Sequence, residues 1–179
     1  MRALFALDHA NDKGCALINL KACLVTLNVI VSVVVFGCSN TAQIQTPEKI
    51  GEKDRINLIT GAKATAVINK LHGSTVTTGG DVIAEYGRGK KDLLYITDYT
   101  DREKAKKSFN LMIEKMRAAK DGPFTHLMPI NKYNGNVYMA IGMGSAHYII
   151  WSENYLLWLQ TDQPFGTTLP PRLLALYPA

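Results

Sequence analysis

The side chains able to do chemistry are few and scattered. Histidines stand at positions 9, 72, 126 and 147, and no two of them lie three or four residues apart. The helical spacing that turns two imidazoles toward one metal ion is therefore missing. Ser145, His126, His147 and Asp98 supply the residue types of a nucleophile, a base and an orienting acid. The stretch Gly142-Met143-Gly144-Ser145, however, has neither the Gly-x-Ser-x-Gly of a nucleophile elbow nor the Gly-Lys-Ser/Thr close of a phosphate loop. It reads as a hairpin turn. Asp98, Asp101 and Glu103 form a carboxylate cluster, but Thr100 to Glu103 already has the pattern of a helix cap. Met112, Met116, Met128, Met139 and Met143 with His126 and His147 are the donors of a soft copper site. Met112 and Met116 fall on the apolar face of one predicted helix and Met139 alternates along a predicted strand, so packing accounts for them. No cofactor and no metal site is expected, and catalysis is not the leading reading.

Aromatic residues are denser in the second half of the chain. Tyr148, Trp151, Tyr155 and Trp158 fall in two predicted strands, where successive side chains point to opposite faces. Some of these rings are expected at the surface, where an aromatic row would bind a peptide, a glycan or a partner protein.

Cys38 carries the strongest single signal. The run Ala22 to Gly37 has no charge, follows Lys21 and ends on a small residue, the order of basic region, apolar region and cleavage site in a secretory leader. It contains Thr26, Asn28 and Ser32 and falls short of the roughly 20 apolar residues of a spanning helix. Val35-Phe36-Gly37-Cys38 resembles the lipobox of bacterial lipoproteins. That resemblance implies lipidation of the Cys38 sulfur, cleavage after Gly37 and acylation of the new amino terminus, with Ser39 permissive of the outer membrane. Asp8, His9 and Asp12 are unusual ahead of the basic residue of a leader, and translation from position 20 would give a compact one, so residues 1–19 are read as a misassigned start. The expected address is the cell membrane or outer membrane, with the domain facing the periplasm or the exterior.

Cys15, Cys23 and Cys38 are the three cysteines, so cleavage before Cys38 leaves one thiol, itself blocked by lipid. The remaining chain must be stable through apolar burial, without disulfides, and is of single-domain length. The chain carries 20 Lys and Arg against 15 Asp and Glu, a formal +5. The basic residues from Lys104 to Lys120 have acidic residues interleaved and read as a solvated helix face. A basic stripe with stacking aromatics is lacking, so nucleic acid is not an expected partner.

Ser39 to Asp54 is polar, contains Pro47 and Gly51, and reads with residue 55 as a lipidated tether, the domain starting at Ile56. Apolar spacing predicts a helix over Thr60–Leu71 capped by Gly73. A short strand at 75–77 and strands at 82–86 and 93–99 follow. Thr100 to Glu103 predicts a capping box opening a helix that ends before Gly122-Pro123. Phe124–Tyr133 reads as a loop or edge strand, and 136–160 as a three-stranded meander with turns at Asn134-Gly135 and Ser152-Glu153-Asn154. A short helix ends the chain. The expected fold is α+β, an antiparallel sheet of five to six strands with two main helices and the short C-terminal helix on one face.

These readings predict a lipid-anchored envelope protein with a non-catalytic binding or assembly domain, its partners the membrane and an envelope protein or cell-wall polymer. Two alternatives have distinct geometric signatures. An envelope enzyme requires Ser145, His147, His126 and Asp98 in one cleft, whereas a small-ligand sensor requires a cavity between helix and sheet lined by Met112, Met116, Met139 and Trp158.

Overall fold

A computed structural model of the protein describes residues 44–77, 80–119, 121–162 and 164–179. The leader, Cys38 and the first part of the expected tether lie outside these residues. The elements run β1 (Lys49–Ile50), β2 (Lys53–Thr60), α1 (Ala62–His72), β3 (Asp81–Tyr86), β4 (Asp92–Asp98), α2 (Arg102–Ala118), β5 (Phe124–Pro129), β6 (Val137–Gly142), β7 (Ser145–Ser152), β8 (Tyr155–Thr161) and α3 (Pro171–Leu176). The strands form one sheet in the order β1-β2-β3-β4-β8-β7-β6-β5, each neighbour antiparallel.

The α+β class holds, but the sheet has eight strands rather than five or six. The excess comes from β1 and β2, whose Lys53-Asp-Arg-Ile-Asn-Leu-Ile-Thr60 lacks a clean alternation and is only partly buried. Nor do all helices share one face. Ala64 and Ile68 of α1 pack on Ile59, Ile83 and Tyr95. Ala105, Phe109 and Ile113 of α2 pack on Ile149, Trp151 and Leu156. Strand alternation puts all of these sheet residues on one side. Leu173 of α3 instead joins Ala84, Tyr86, Leu94, Ile96, Tyr148, Ile150, Leu157 and Leu159 on the other. Both faces are thus covered, and every residue of β7 is buried.

Part of the expected tether belongs to the domain. Ile50 is fully buried in the α3-side core and Ile44 packs against the same cluster. The Tyr86 hydroxyl donates to the Pro47 carbonyl at 2.9 Å and the Tyr177 hydroxyl to the Gln45 carbonyl at 2.7 Å. Backbone acceptors and two isoleucines hold this segment, a pattern that its polar composition hides.

Three local expectations also change. No strand forms at 75–77, because the Asn69 side chain accepts from the Val76 and Thr77 amides at 2.7 and 3.1 Å and takes the donors a ladder would need. The N-cap of α2 is Asp101, which accepts from Lys104 N at 2.8 Å, while Thr100 sits at φ 54 outside the helix. Gly73 does close α1 at φ 63, as its spacing predicts.

Replacing Ile50 with alanine is expected to lower stability by about 2–4 kcal/mol, the cost of a cavity in a closed core. Urea unfolding followed by fluorescence checks this, and a loss below about 0.5 kcal/mol would return the segment to a tether.

Candidate functional site

The helices leave a strip of the sheet uncovered between them. Over the seam of β4 and β8 lies an open groove of about 810 Å³, within the roughly 300–1,000 Å³ of small-molecule sites. Its floor comes from one sheet face. Tyr95 pairs across the seam with Trp158, and Thr97 with Leu156. His147 of β7 and Gln160 of β8, also cross-strand partners, extend the floor. Ile68, Leu71 and His72 form the α1 wall; Ser108, Leu111, Met112, Lys115 and Met116 form the α2 wall. Ser74 to Val76 and Tyr99 line it further, as do Pro123, Phe124 and Met143.

The α1 side is fixed by buried polar contacts. The Asp81 carboxylate accepts from Thr65 at 2.5 Å, Thr97 at 2.7 Å and Thr77 at 3.0 Å, tying α1, β4 and the loop after α1 to β3. Asn69 pins the same loop, its amide nitrogen donating to the Thr77 carbonyl at 2.9 Å. These hydroxyls come from three separate segments, which is why sequence reasoning missed the cluster. A lone aspartate opening an apolar strand, Asp81 before Val82-Ile83-Ala84, was the available signal.

His147 is held in one tautomer. Trp158 Nε1 is a donor only, so its 3.0 Å bond to His147 Nδ1 makes that nitrogen the acceptor. Nε2 then carries the proton and donates to the Gly142 carbonyl at 3.0 Å. The Phe124 ring closes edge-on at 4.9 Å from the imidazole. Gly142 must be glycine for this arrangement, since a Cβ there would lie 2.4 Å from the Pro123 carbonyl oxygen. Burial pushes the His147 pKa below its usual value, opposed in part by the Gly142 bond.

The residues of the enzyme reading do not converge. His147 has both nitrogens engaged and no free lone pair to take a proton. Ser145 shares its face two residues away and is buried. His126 is exposed, at φ 54 in the irregular part of β5, with Nδ1 at 3.0 Å from Thr125 Oγ1. Asp98 pairs with Tyr155, whereas His147 pairs with Gln160 opposite Leu93. Five residues of strand put Asp98 roughly 17 Å along the seam from that level. Its carboxylate accepts from the Thr100 amide at 2.7 Å and also from Asn154 Nδ2.

The expected exposed aromatic row does not form either. Tyr148 is fully buried and Tyr155 stacks edge-on with Tyr177, both on the α3 side. Trp151, 9% exposed, lies under α2 with Arg102 and Lys106 over its ring. Of the four, Trp158 alone lines the groove. Met112 and Met116 join it there, while Met139 packs on the opposite core. Among the described residues no group of three or more histidine, cysteine, aspartate or glutamate side chains could hold a metal ion, and no helix is long and apolar enough to cross a membrane.

The lowered His147 pKa fixes the direction of an acid effect. The unfolded imidazole takes up a proton near pH 6.5 and the folded one only at lower pH, so the contribution is whole above 6.5 and falls below it. Going from about pH 7.5 to about pH 5.5 is expected to lower the melting temperature, and less so in His147→Gln, whose amide keeps one acceptor and one donor. Equal slopes in both proteins would remove His147 as the cause. Comparison of the chain with protein families, curated proteins and solved structures found no match.

Proposed function

We propose that this is a lipid-anchored cell-envelope protein whose domain binds an apolar ligand in the groove between α1 and α2, without catalysing a reaction. The uncovered β4–β8 seam is the observation that carries the ligand-binding reading. The centre of the sheet is closely covered, β7 being buried throughout, yet beside it Tyr95, Trp158, Met112 and Met116 border open space. Large apolar side chains at the margin remain in water, Leu71 and Met143 at 64% exposure and Leu111 at 48%. Contiguous exposed apolar surface of this kind marks interaction sites.

Support for the address comes from Val35-Phe36-Gly37-Cys38 at the end of an uncharged run. A lipid on Cys38 would hold the domain at the surface of the cell membrane or outer membrane, facing the periplasm or exterior. The burial of Tyr148 and Trp151 moves the binding site from the aromatic row to the groove. An assembly role with another envelope protein would then use the same apolar margin.

Nile red, a neutral apolar dye, is expected to bind the full chain with a blue-shifted emission. Ser108→Trp, which puts an indole into the groove from the α2 wall, is expected to weaken that binding at least about tenfold while leaving the unfolding midpoint nearly unchanged. Unchanged dye binding in this variant would sink the groove reading. For the anchor, the mass of the amino-terminal peptide from membranes is expected to show a diacyl or triacyl Cys38, and Cys38→Ala an uncleaved, unlipidated chain. An unlipidated wild-type chain retaining residues before Cys38 would overturn the address.

A further inference from the structure

We infer that the groove takes a single-chain amphiphile with an anionic head, a free long-chain carboxylate whose head group sits at Lys115. This rests on the groove being the binding site, as proposed above, and adds the chemistry of its occupant.

The electrostatics of the lining set the head group. Among the described residues lining the groove, Lys115 is the permanently charged one and none is an aspartate or glutamate. Like most of the described lysines, Lys115 is in no ion pair, so no carboxylate neutralises it at the groove wall. A cation beside an acid-free apolar trough favours an anion at one end of an apolar body.

The state of the floor sets the body. Thr97 donates its hydroxyl proton to Asp81, Trp158 gives its N–H to His147, and His147 gives its own to the Gly142 carbonyl. Three polar side chains thus turn their donors into the protein and show mostly carbon to the groove. The strands beneath, β4, β8 and β7, each have a partner on both sides, so no open backbone ladder is offered to a peptide main chain. Methionines at 112 and 116 adapt to a flexible chain better than to a rigid ring system. From Ser108 to Met116 the α2 wall spans roughly 12 Å, a trough rather than a spherical pocket.

The source is a free carboxylate rather than a bilayer phospholipid, because a groove of about 810 Å³ with one lysine on its wall suits one chain and one charge better than two chains on a bulky head group.

The test titrates the full chain, by tryptophan fluorescence, with palmitate, cetyl alcohol and cetylamine, which differ only in the head, and with phosphatidylglycerol vesicles. Palmitate is expected to bind about fivefold tighter than the alcohol, the scale of one solvent-exposed ion pair, and the amine weakest. Lys115→Ala is expected to bring palmitate down to the alcohol and leave the alcohol unchanged. Equal affinity for acid and alcohol in the wild type would overturn the anionic head while leaving the groove reading standing. Response to vesicles but not to palmitate would overturn the free carboxylate. Failure of all three single-chain compounds, with Nile red also unbound, would remove the groove itself.

Discussion

Eight antiparallel strands at about 4.8 Å spacing make a sheet roughly 34 Å across, whereas two α-helices side by side cover only about 20 Å. The sequence makes the central strands apolar on both faces, as the complete burial of β7 shows, so the sheet requires a layer on each side. On the α3 side that layer combines a short helix, the segment from Ile44 and Leu169. On the other side α1 is committed to β2, β3 and β4, and α2 to β6, β7 and β8. Each helix follows its own half of the sheet. The seam where the halves meet, β4 against β8, is what neither reaches, and the groove follows from that division.

Keeping such a seam open needs walls that do not collapse onto it. Apolar contact alone would favour closing the gap, because buried carbon is stabilising wherever it comes from. Directional polar contacts hold the walls instead. Asp81 gathers hydroxyls from α1, the following loop and β4, and Asp101 fixes the start of α2. Beyond the seam, Lys53 of β2 binds Asp92 of β4 and Asp162 at the end of β8. Burial opposes the Lys53 charge, but its hydrogen bonds to Asp162 and Asp92 outweigh this and raise its pKa, while Asp162 is held below the usual carboxylate range by Lys53. Both shifts favour the paired, charged state at neutral pH. The triad ties the first half of the sheet to the last strand without placing charge in the groove.

Sequence patterning disclosed the parts of this fold that depend on neighbours in the chain. The meander from Val137 to Thr161 was legible because its turns fall at Asn134-Gly135, Gly144 and Glu153-Asn154 and its strands are near-continuous apolar runs. The two main helices were legible from their apolar spacing. Features that depend on distant partners were not. β2 is held by β1 and β3 rather than by its own pattern, and the 44–50 segment by tyrosine hydroxyls 39 and 132 residues away. The aromatic row failed for a similar reason. Alternation assigns each ring to a face, but whether that face meets solvent depends on which helix arrives there. Of the sensor's cavity, Met112, Met116 and Trp158 were placed rightly and Met139 wrongly, since the parity of β6 turns it to the α3 side.

Parity also decides what can cover the groove from within the domain. The segment from Ile44 packs on the α3 side, where Gln45 and Pro47 are fastened by Tyr177 and Tyr86. Because α1 and α2 occupy the opposite face, the groove with its apolar margin of Leu71, Leu111 and Met143 lies across the sheet from that segment and from α3. Neither could fill the groove without giving up the buried contacts of Ile50 and Leu173, so the apolar margin is left for something other than these two segments.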